Sequence, residues 1–480
     1  MLFFYAVKEK RTGRLDEMNQ DVVVVGGGPA GYPAAIRAAQ RGSRVTLVER
    51  EKVGGTCLHW GCIPTKALLE GAHRLQLVQE AKRFGVVANE VSSDIEALRR
   101  HRDATVRAQF SGLEGLLKAY GIRVVSGTGE LLEPHAVRVR ETGETLNPDA
   151  VIIAVGSEPS LIPVPGADHP RVMNSDQAIL LESVPEKLAV VGAGYVGLEF
   201  AQLYAALGSQ VTVVEMMPQA LPAEDPDVAA AVLTILRKQK IDIHLNARVE
   251  AIEDRGEGVA LVYSENGQRK EAEAQRVLFA VGRRSRTGEL ELERLGVRLE
   301  RGCIVVNERM ETAVPGIYAA GDCIGGLMLA HAATREGEVA AMNATGGQET
   351  MNNDPVPRCL YTEPEVACAG LTEPRARELH GDEVRVGRYP VMPNGRARAM
   401  GYRDGFAKVV TGRYGELLGV HLVGPRVTEN IGAAIMAIRM EATVEDLARC
   451  IFPHPTISEI ISEAAADALG ACVHLPPRKK

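Results

Sequence analysis

The sequence is short of aromatic residues, 4% of 480 with a single tryptophan, and nowhere approaches the ~18 consecutive apolar residues that a membrane-spanning helix needs. A soluble protein is expected. It also lacks a strong charge of one sign: the formal net charge is -7 and the basic residues are dispersed, so no electrostatic footprint for nucleic acid is present. The Arg-Lys-Lys ending reads as a solvated tail. A secretory leader is not expected either, because the apolar run from Leu2 to Val7 is short, has no basic region before it and meets Lys8, Glu9, Lys10 and Arg11 at once. A cytoplasmic location is expected. Residues 1–17, ahead of a first strand near Asp21 and a second methionine at Met18, read as an N-terminal extension or a misassigned start. Cysteine is too sparse for a disulfide scaffold: Cys303, Cys323, Cys359, Cys368, Cys450 and Cys472 show no paired spacing and read as buried or incidental thiols. No metal site is expected.

What the chain does have is length and a repeat. At 480 residues it should hold two to four domains, since single cores stop growing near ~250–300 residues. Val22 to Arg50 can be laid over Leu188 to Met216 at a constant shift of 166 without a gap. Gly26, Gly28 and Gly31 fall on Gly192, Gly194 and Gly197, Gly42 and Ser43 on Gly208 and Ser209, and Glu49 on Glu215. Each copy opens with a valine-rich run that reads as a buried parallel strand. In the G-x-G-x-x-G turn that follows, the first glycine permits the tight turn, the second lets backbone approach a pyrophosphate, and the third lets helix pack closely on strand. The helix N-terminus favours the phosphates. A second strand then delivers Glu49 or Glu215 about 20 positions on, placed to accept from ribose hydroxyls. A carboxylate at Glu215 would repel the extra phosphate of NADP, which favours NAD in the second copy. Pro33 is unexpected so near a helix start, although the first turn tolerates a missing donor.

Between the first copy and the next helix stands Gly54-Gly55-Thr56-Cys57-Leu58-His59-Trp60-Gly61-Cys62-Ile63-Pro64-Thr65-Lys66. Positions five apart lie about 140° around an undistorted helix, so joining Cys57 to Cys62 calls for a distorted turn, which the glycines and Pro64 make feasible. Without a leader, a disulfide here would be catalytic rather than structural. This segment resembles the G-G-x-C-x-x-x-x-G-C-x-P-[ST]-K motif of the pyridine nucleotide-disulfide oxidoreductases, and the resemblance runs over essentially residues 20 to 475. It implies a redox disulfide, with Cys57 the thiol that exchanges with substrate and Cys62 the one lying against the flavin of FAD. Lys66 resembles the lysine near flavin N5, and Glu199 its carboxylate partner beside the nicotinamide. Thr312 to Asp322 looks like the second FAD motif, with Asp322 on the ribityl chain, and Ala330 begins a helix whose N-terminus would face the flavin pyrimidine. Gly129 and Ser157 match FAD-contacting positions, although Ala154-Val155-Gly156 stands where the family usually has Ala-Thr-Gly. Val249 and Gly282 are matched to the NAD site. His454-Pro455-Thr456-Ile457-Ser458-Glu459 resembles the family's His-Pro-Thr-x-x-Glu, which implies that His454 is the base for the dithiol, oriented by Glu459, and that it reaches the disulfide of the other subunit of a homodimer. A thiolate, not a thiol, is the nucleophile in such chemistry, so a base titrating near neutrality is useful.

Within the family, Cys62-Ile63-Pro64-Thr65-Lys66 and Glu215 set the chain apart from the NADP-dependent reductases with Cys-Val-Pro-Lys-Lys. The single Cys472 sets it apart from those ending in a cysteine pair. Tyr361-Thr362-Glu363-Pro364-Glu365-Val366-Ala367 and His474-Leu475-Pro476 resemble the lipoamide branch, the bacterial dihydrolipoamide dehydrogenases. His59 and Trp60 replace a commoner Asn-Val. The implied partner is a lipoyl-bearing protein of a 2-oxoacid dehydrogenase complex or of the glycine cleavage system, because this chain shows no lipoyl domain of its own. Reduction of another disulfide or of a quinone, or a sensory role with FAD held structurally, are the alternatives. The expected fold is α/β, with two Rossmann-like dinucleotide-binding domains and a C-terminal α+β dimerisation domain. The expected division is an extension at 1–17, an FAD-binding domain at 18–158, an NAD-binding domain at 159–284, a central segment at 285–352 completing the FAD domain, and an interface domain at 353–480.

Overall fold

The computed structural model describes residues 20–351 and 355–477. The expected extension at 1–17 and the Arg-Lys-Lys tail lie outside them, as does the boundary at 353. The described chain divides into two compact units, one made of 20–55, 111–156 and 285–351, the other of 56–110, 157–284 and 355–477.

In the first unit Asp21–Val25 is the middle strand of a five-stranded sheet ordered Ile317–Ala319, Ala150–Ile153, Asp21–Val25, Arg44–Glu49, Arg123–Ser126. All neighbours run parallel, with Val22 opposite Val45 on one side and Ala150 on the other. A central strand of a parallel sheet is covered on both faces, which is why Val22, Val23, Val24 and Val25 are all buried and the sequence shows a run instead of an alternation. The last strand to join comes from the 285–351 segment, with Ile317 and Ala319 packed into the same core as Val23, Val151 and Ile153.

The second unit holds a parallel sheet with the same arrangement around its middle strand, ordered Asp242–His244, Gln210–Val214, Lys187–Val191, Arg276–Phe279, Val172–Asn174. It also holds an antiparallel sheet ordered Arg358–Leu360, Glu365–Gly370, Leu417–Gly424, Phe406–Thr411, Arg385–Pro390. The helices Val427–Arg439 and Glu459–Ala468 cover that sheet. Segment 56–110, which the sequence assigns to the first domain, groups with this unit. The reason is apolar packing: Leu68, Leu69 and Ala72 of the Cys62–Glu80 helix share one buried cluster with Leu198, Phe200 and Leu203 of the Tyr195–Ala206 helix. No helix among the described residues is long and apolar enough to cross a membrane.

Candidate active site

The glycine turns are built the same way in both units. Gly26 and Gly192 adopt φ of +100° and +103°, and an added Cβ would lie 2.3 Å from the carbonyl oxygen of Ala154 in one case and 2.5 Å from that of Ala280 in the other. At Gly31 and Gly197 a Cβ would sit 1.8 Å and 2.0 Å from the oxygens of Gly26 and Gly192, so helix and turn touch only because both are glycine. Gly28 and Gly194 differ: nothing comes closer to a Cβ than 3.9 Å at Gly28, and nothing within 4 Å at Gly194. They are not needed for packing, and the space beside them suits a pyrophosphate. The helices Gly31–Gln40 and Tyr195–Ala206 carry no side-chain cap, whereas Pro226–Lys238, Glu373–His380 and Val444–Arg449 are capped by Asp225, Thr372 and Thr443. An uncapped N-terminus behind an open glycine is the chemistry a dinucleotide phosphate fits. Glu49 and Glu215 close each turn, and both carboxylates accept backbone N–H groups: Gly27 at 2.6 Å and Glu51 at 2.7 Å for Glu49, Ala193 at 2.7 Å and Met217 at 2.8 Å for Glu215.

The cysteine segment contains the distorted turn that closing a disulfide over this spacing would need. One short helix, Gly55–His59, ends before Trp60 and Gly61, and a second, Cys62–Glu80, begins at the second cysteine. A Cβ on Gly61 would stand 3.0 Å from the oxygen of Thr56 and 3.3 Å from the Cα of Cys57, so a glycine lets the two helices meet so closely. The expected disulfide is not formed here: Cys57 and Cys62 are free thiols, and their side chains are hydrogen-bonded to each other. That hydrogen bond from Cys57 lowers Cys62 first, burial opposes it, and the Lys66 ammonium lowers it further, to about 7. Cys57, holding the shared proton, is pushed well up. Cys62 also stands at the N-terminus of a 19-residue helix, a position that favours thiolate.

One turn along the same helix, Lys66 Nζ donates to both oxygens of Glu199, at 3.1 and 2.8 Å. Glu199 is buried at 5% exposure, and a carboxylate out of water needs such a partner. The N–H of Tyr361 supplies a further bond to Glu199 at 3.0 Å, and the Lys66 ammonium lies 4.6 Å from the centre of the Tyr361 ring. Thus Cys57, Cys62, Lys66 and Glu199 come together in one unit, with Tyr361 as a member that the sequence reading does not assign.

His454 and Glu459 form a second assembly. Nδ1 of His454 is 2.9 Å from Glu459 Oε1, and Glu459 Oε2 accepts the N–H of Thr456 at 2.8 Å. Burial pushes Glu459 up, but Thr456, the His454 bond and the charges of His454 and His474 hold it below the usual carboxylate value. The His454 side chain is 79% exposed. Among the described residues no hydrogen bond joins this pair to Cys57 or Cys62 of the same chain.

The other expected residues fall as follows. Gly129 is buried, and a Cβ there would meet Val25 at 2.8 Å. Val249 is buried in the antiparallel meander opposite Tyr263. Ser157 is buried, and its hydroxyl accepts from Arg283 at 2.7 Å, so the segment holding Gly282 is tied to it. Asp322 opens a short turn after Gly321, and Ala330 starts the Ala330–Ala344 helix, which also lacks a side-chain cap. The N–H of Gly321 donates to Glu336 at 2.8 Å, and burial pushes that carboxyl up. Glu336 is a positioning residue for the Asp322 turn that no local motif announces.

The profile of the pyridine nucleotide-disulphide oxidoreductases matches residues 20–337, and that of the dimerisation domain of the same proteins matches residues 356–465. A dihydrolipoyl dehydrogenase of Thermus scotoductus is 42% identical over 461 residues, covering 95% of this chain and 98% of its own. One of Bacillus subtilis is 39% identical over 459 residues, covering 94% and 99%. Among solved structures, LpdA of Mycobacterium tuberculosis superposes with a TM-score of 0.84 at 29% identity, covering 93% of this chain and 99% of its own. The HOCl-induced flavoprotein disulfide reductase RclA of Escherichia coli does so with 0.83 at 30%, covering 93% and 99%.

Proposed function

Since the chain belongs to the pyridine nucleotide-disulphide oxidoreductases, we propose that it oxidises the dihydrolipoyl group of a partner protein, in a 2-oxoacid dehydrogenase complex or the glycine cleavage system, and reduces NAD. The observation that carries this reading is the Cys57/Cys62 pair, in which the sulfur at the helix start is held near neutrality as the better thiolate. A substrate thiolate attacks Cys57 of the oxidised pair, and Cys62 departs as the leaving thiolate, favoured by its low pKa. The second substrate thiolate then displaces Cys57, and the substrate leaves as a cyclic disulfide. Two electrons have entered the enzyme pair, with one substrate proton kept on Cys57, Cys62 left as thiolate, and the other substrate proton taken up by the base. His454 takes the thiol proton and Glu459 fixes its ring through Nδ1. Exposed as it is, His454 is suited to serve the dithiol of a second copy, and the matched dimerisation profile supports a homodimer.

Gly26, Gly28, Gly31, Glu49, Gly129, Ser157, Asp322 and Ala330 would hold FAD, which when bound supplies a two-electron carrier between the dithiol and the nicotinamide. Gly192, Gly194, Gly197, Glu215, Val249 and Gly282 would hold NAD, with the Lys66–Glu199 pair positioning the reacting ring. Domains at 18–158, 159–284, 285–352 and 353–480 and a cytoplasmic location, where a cycling dithiol stays reducible, complete the reading. The likeness to RclA favours reduction of a different disulfide as the second reading.

The test is anaerobic mixing of the FAD-loaded protein with dihydrolipoamide and NAD, with Cys57→Ser and His454→Ala run in parallel. NADH should form rapidly, and both variants should lose it by a factor on the order of 10²–10⁴. If the protein turns over another dithiol or disulfide but not this one, the second reading replaces the first.

A further inference from the structure

The Glu459–Ala468 helix carries a second histidine–carboxylate pair that the reading above leaves unused. Glu459 and Glu463 are four residues apart, so they lie one turn from each other on one face. Where Glu459 Oε1 holds Nδ1 of His454 at 2.9 Å, Glu463 Oε1 holds Nδ1 of His474 at 2.7 Å. Their other oxygens are clamped too, by the N–H of Thr456 at 2.8 Å and by the thiol of Cys472 at 3.0 Å. In each pair a mostly covered carboxylate, 25% or 19% exposed, fixes one ring nitrogen of a histidine whose side chain is 79% or 66% exposed. The two pairs also share a field, because the His474 charge is one of the causes that lower Glu459.

We propose that His474, held by Glu463, is a proton relay behind His454: it receives the proton that His454 has taken from a substrate thiol and releases it to solvent. This rests on the dithiol-oxidising reading. Oxidising a dithiol to a disulfide yields two electrons and two protons, and NAD takes both electrons with a single proton as hydride. The remaining proton must leave the protein at every turnover, and His454 cannot act again until it has lost it. Histidine is the side-chain type suited to hand on a proton near neutral pH. The other titratable groups around the pair are not suited to it. Burial, then the bond to Glu463, pushes Cys472 up to about 11, and burial pushes Tyr389 of the neighbouring strand up to about 12. Asp467, one turn beyond Glu463, is buried and accepts the N–H of Arg388 at 2.8 Å. His474 acts through His454 and is a positioning and relay residue, not a group that touches substrate.

The experiment measures kcat for dihydrolipoamide oxidation by the holoenzyme at fixed pH and ionic strength while buffer concentration is varied, for the wild type, His474→Gln and Glu463→Gln. Wild-type kcat should be independent of buffer. At low buffer the His474→Gln rate should fall about tenfold with KM for the dithiol unchanged, and added imidazole should restore it. Glu463→Gln should show the same buffer dependence in weaker form. Full wild-type kcat of His474→Gln at low buffer overturns the relay, and so does a loss that imidazole leaves in place, because a merely structural defect is blind to added base. A wild type that makes no NADH from this dithiol removes the underlying reading, and the relay with it, before any variant is compared.

Discussion

In the first unit the oxygens of Glu49 accept the N–H groups of Gly27 and Glu51, and 166 residues later those of Glu215 accept Ala193 and Met217 in the same pattern. The N–H of Gly26 donates to Val48 at 2.8 Å, and that of Gly192 to Val214 at 2.9 Å. Two features break the copy. The fifth strand of the first sheet, Ile317–Ala319, comes from far downstream, whereas that of the second, Val172–Asn174, comes from just upstream. And the position that holds Glu199 in the second helix holds Pro33 in the first, buried and unable to carry charge. The glycine turn with its glutamate is therefore separable from the ion pair that the helix behind it can carry. The turn is duplicated, and the Lys66–Glu199 ion pair is attached to one copy.

The strongest challenge to that separation is to make one substitution in both copies. Gly31→Ala and Gly197→Ala introduce the same clash, so both cost about 1–3 kcal/mol locally. The first should yield protein that has lost most of its flavin and all of its activity. The second should stay yellow and be reduced normally by dihydrolipoamide, while kcat/KM for NAD falls roughly ten- to a hundredfold. Flavin absorbance and the anaerobic half-reaction distinguish the two, and flavin loss from Gly197→Ala would show that the copies do not work separately.

A smaller effect is expected from Glu199→Gln. It removes the counter-charge of Lys66 and, with it, a charge that raises Cys62. NADH formation should drop about tenfold, and the pH midpoint for alkylation of Cys62 by iodoacetamide should move below that of the wild type. Pro33→Ala, at the matching position, should leave that midpoint where it is. A shift in both would mean that the curve reports general loosening and not the charge. Smaller still, Glu215→Gln should raise the preference for NADP over NAD roughly tenfold by removing a buried like charge, whereas Glu49→Gln should leave that ratio unchanged.

How much of this could be read from the chain depends on how local the cause is. The glycine turns were legible because backbone geometry dictates residue identity within six positions, and the distorted turn at Cys57–Cys62 because closing a disulfide over that spacing needs one. Lys66, Glu199, His454 and Glu459 were legible only through family resemblance, since Lys66 and Glu199 meet across 133 residues. Tyr361 enters through a backbone N–H that any residue type would supply, Glu336 through a carboxyl that looks like an ordinary helix residue, and Glu463 through a histidine beyond its own helix. The grouping of 56–110 with the second unit was hidden for the same reason: Leu68 and Leu69 are apolar wherever they pack.

The attachment of charge to the second copy should also be visible in stability. A cavity of about 210 Å³ there is lined by Lys66, His73, Gln202, Tyr361 and Glu363. Burial pushes the Glu363 carboxyl up to about 7, against a hydrogen bond from Tyr402, and burial pushes His73 down. For an acid raised above its unfolded value of 4.5, the folded state gains from protonation. That stability is fully present below about pH 4.5 and lost as pH rises through about 7. With the side chain 23% exposed, the loss amounts to about 1–2 kcal/mol between pH 5 and 8. Glu363→Gln cannot ionise and should not pay it. The melting midpoint of the variant holoenzyme should match the wild type at pH 5 and stand a few degrees above it at pH 8, given roughly 2–4 °C per kcal/mol for domains of this size. Equal midpoints at pH 8 would mean that the cavity solvates the ionised carboxylate.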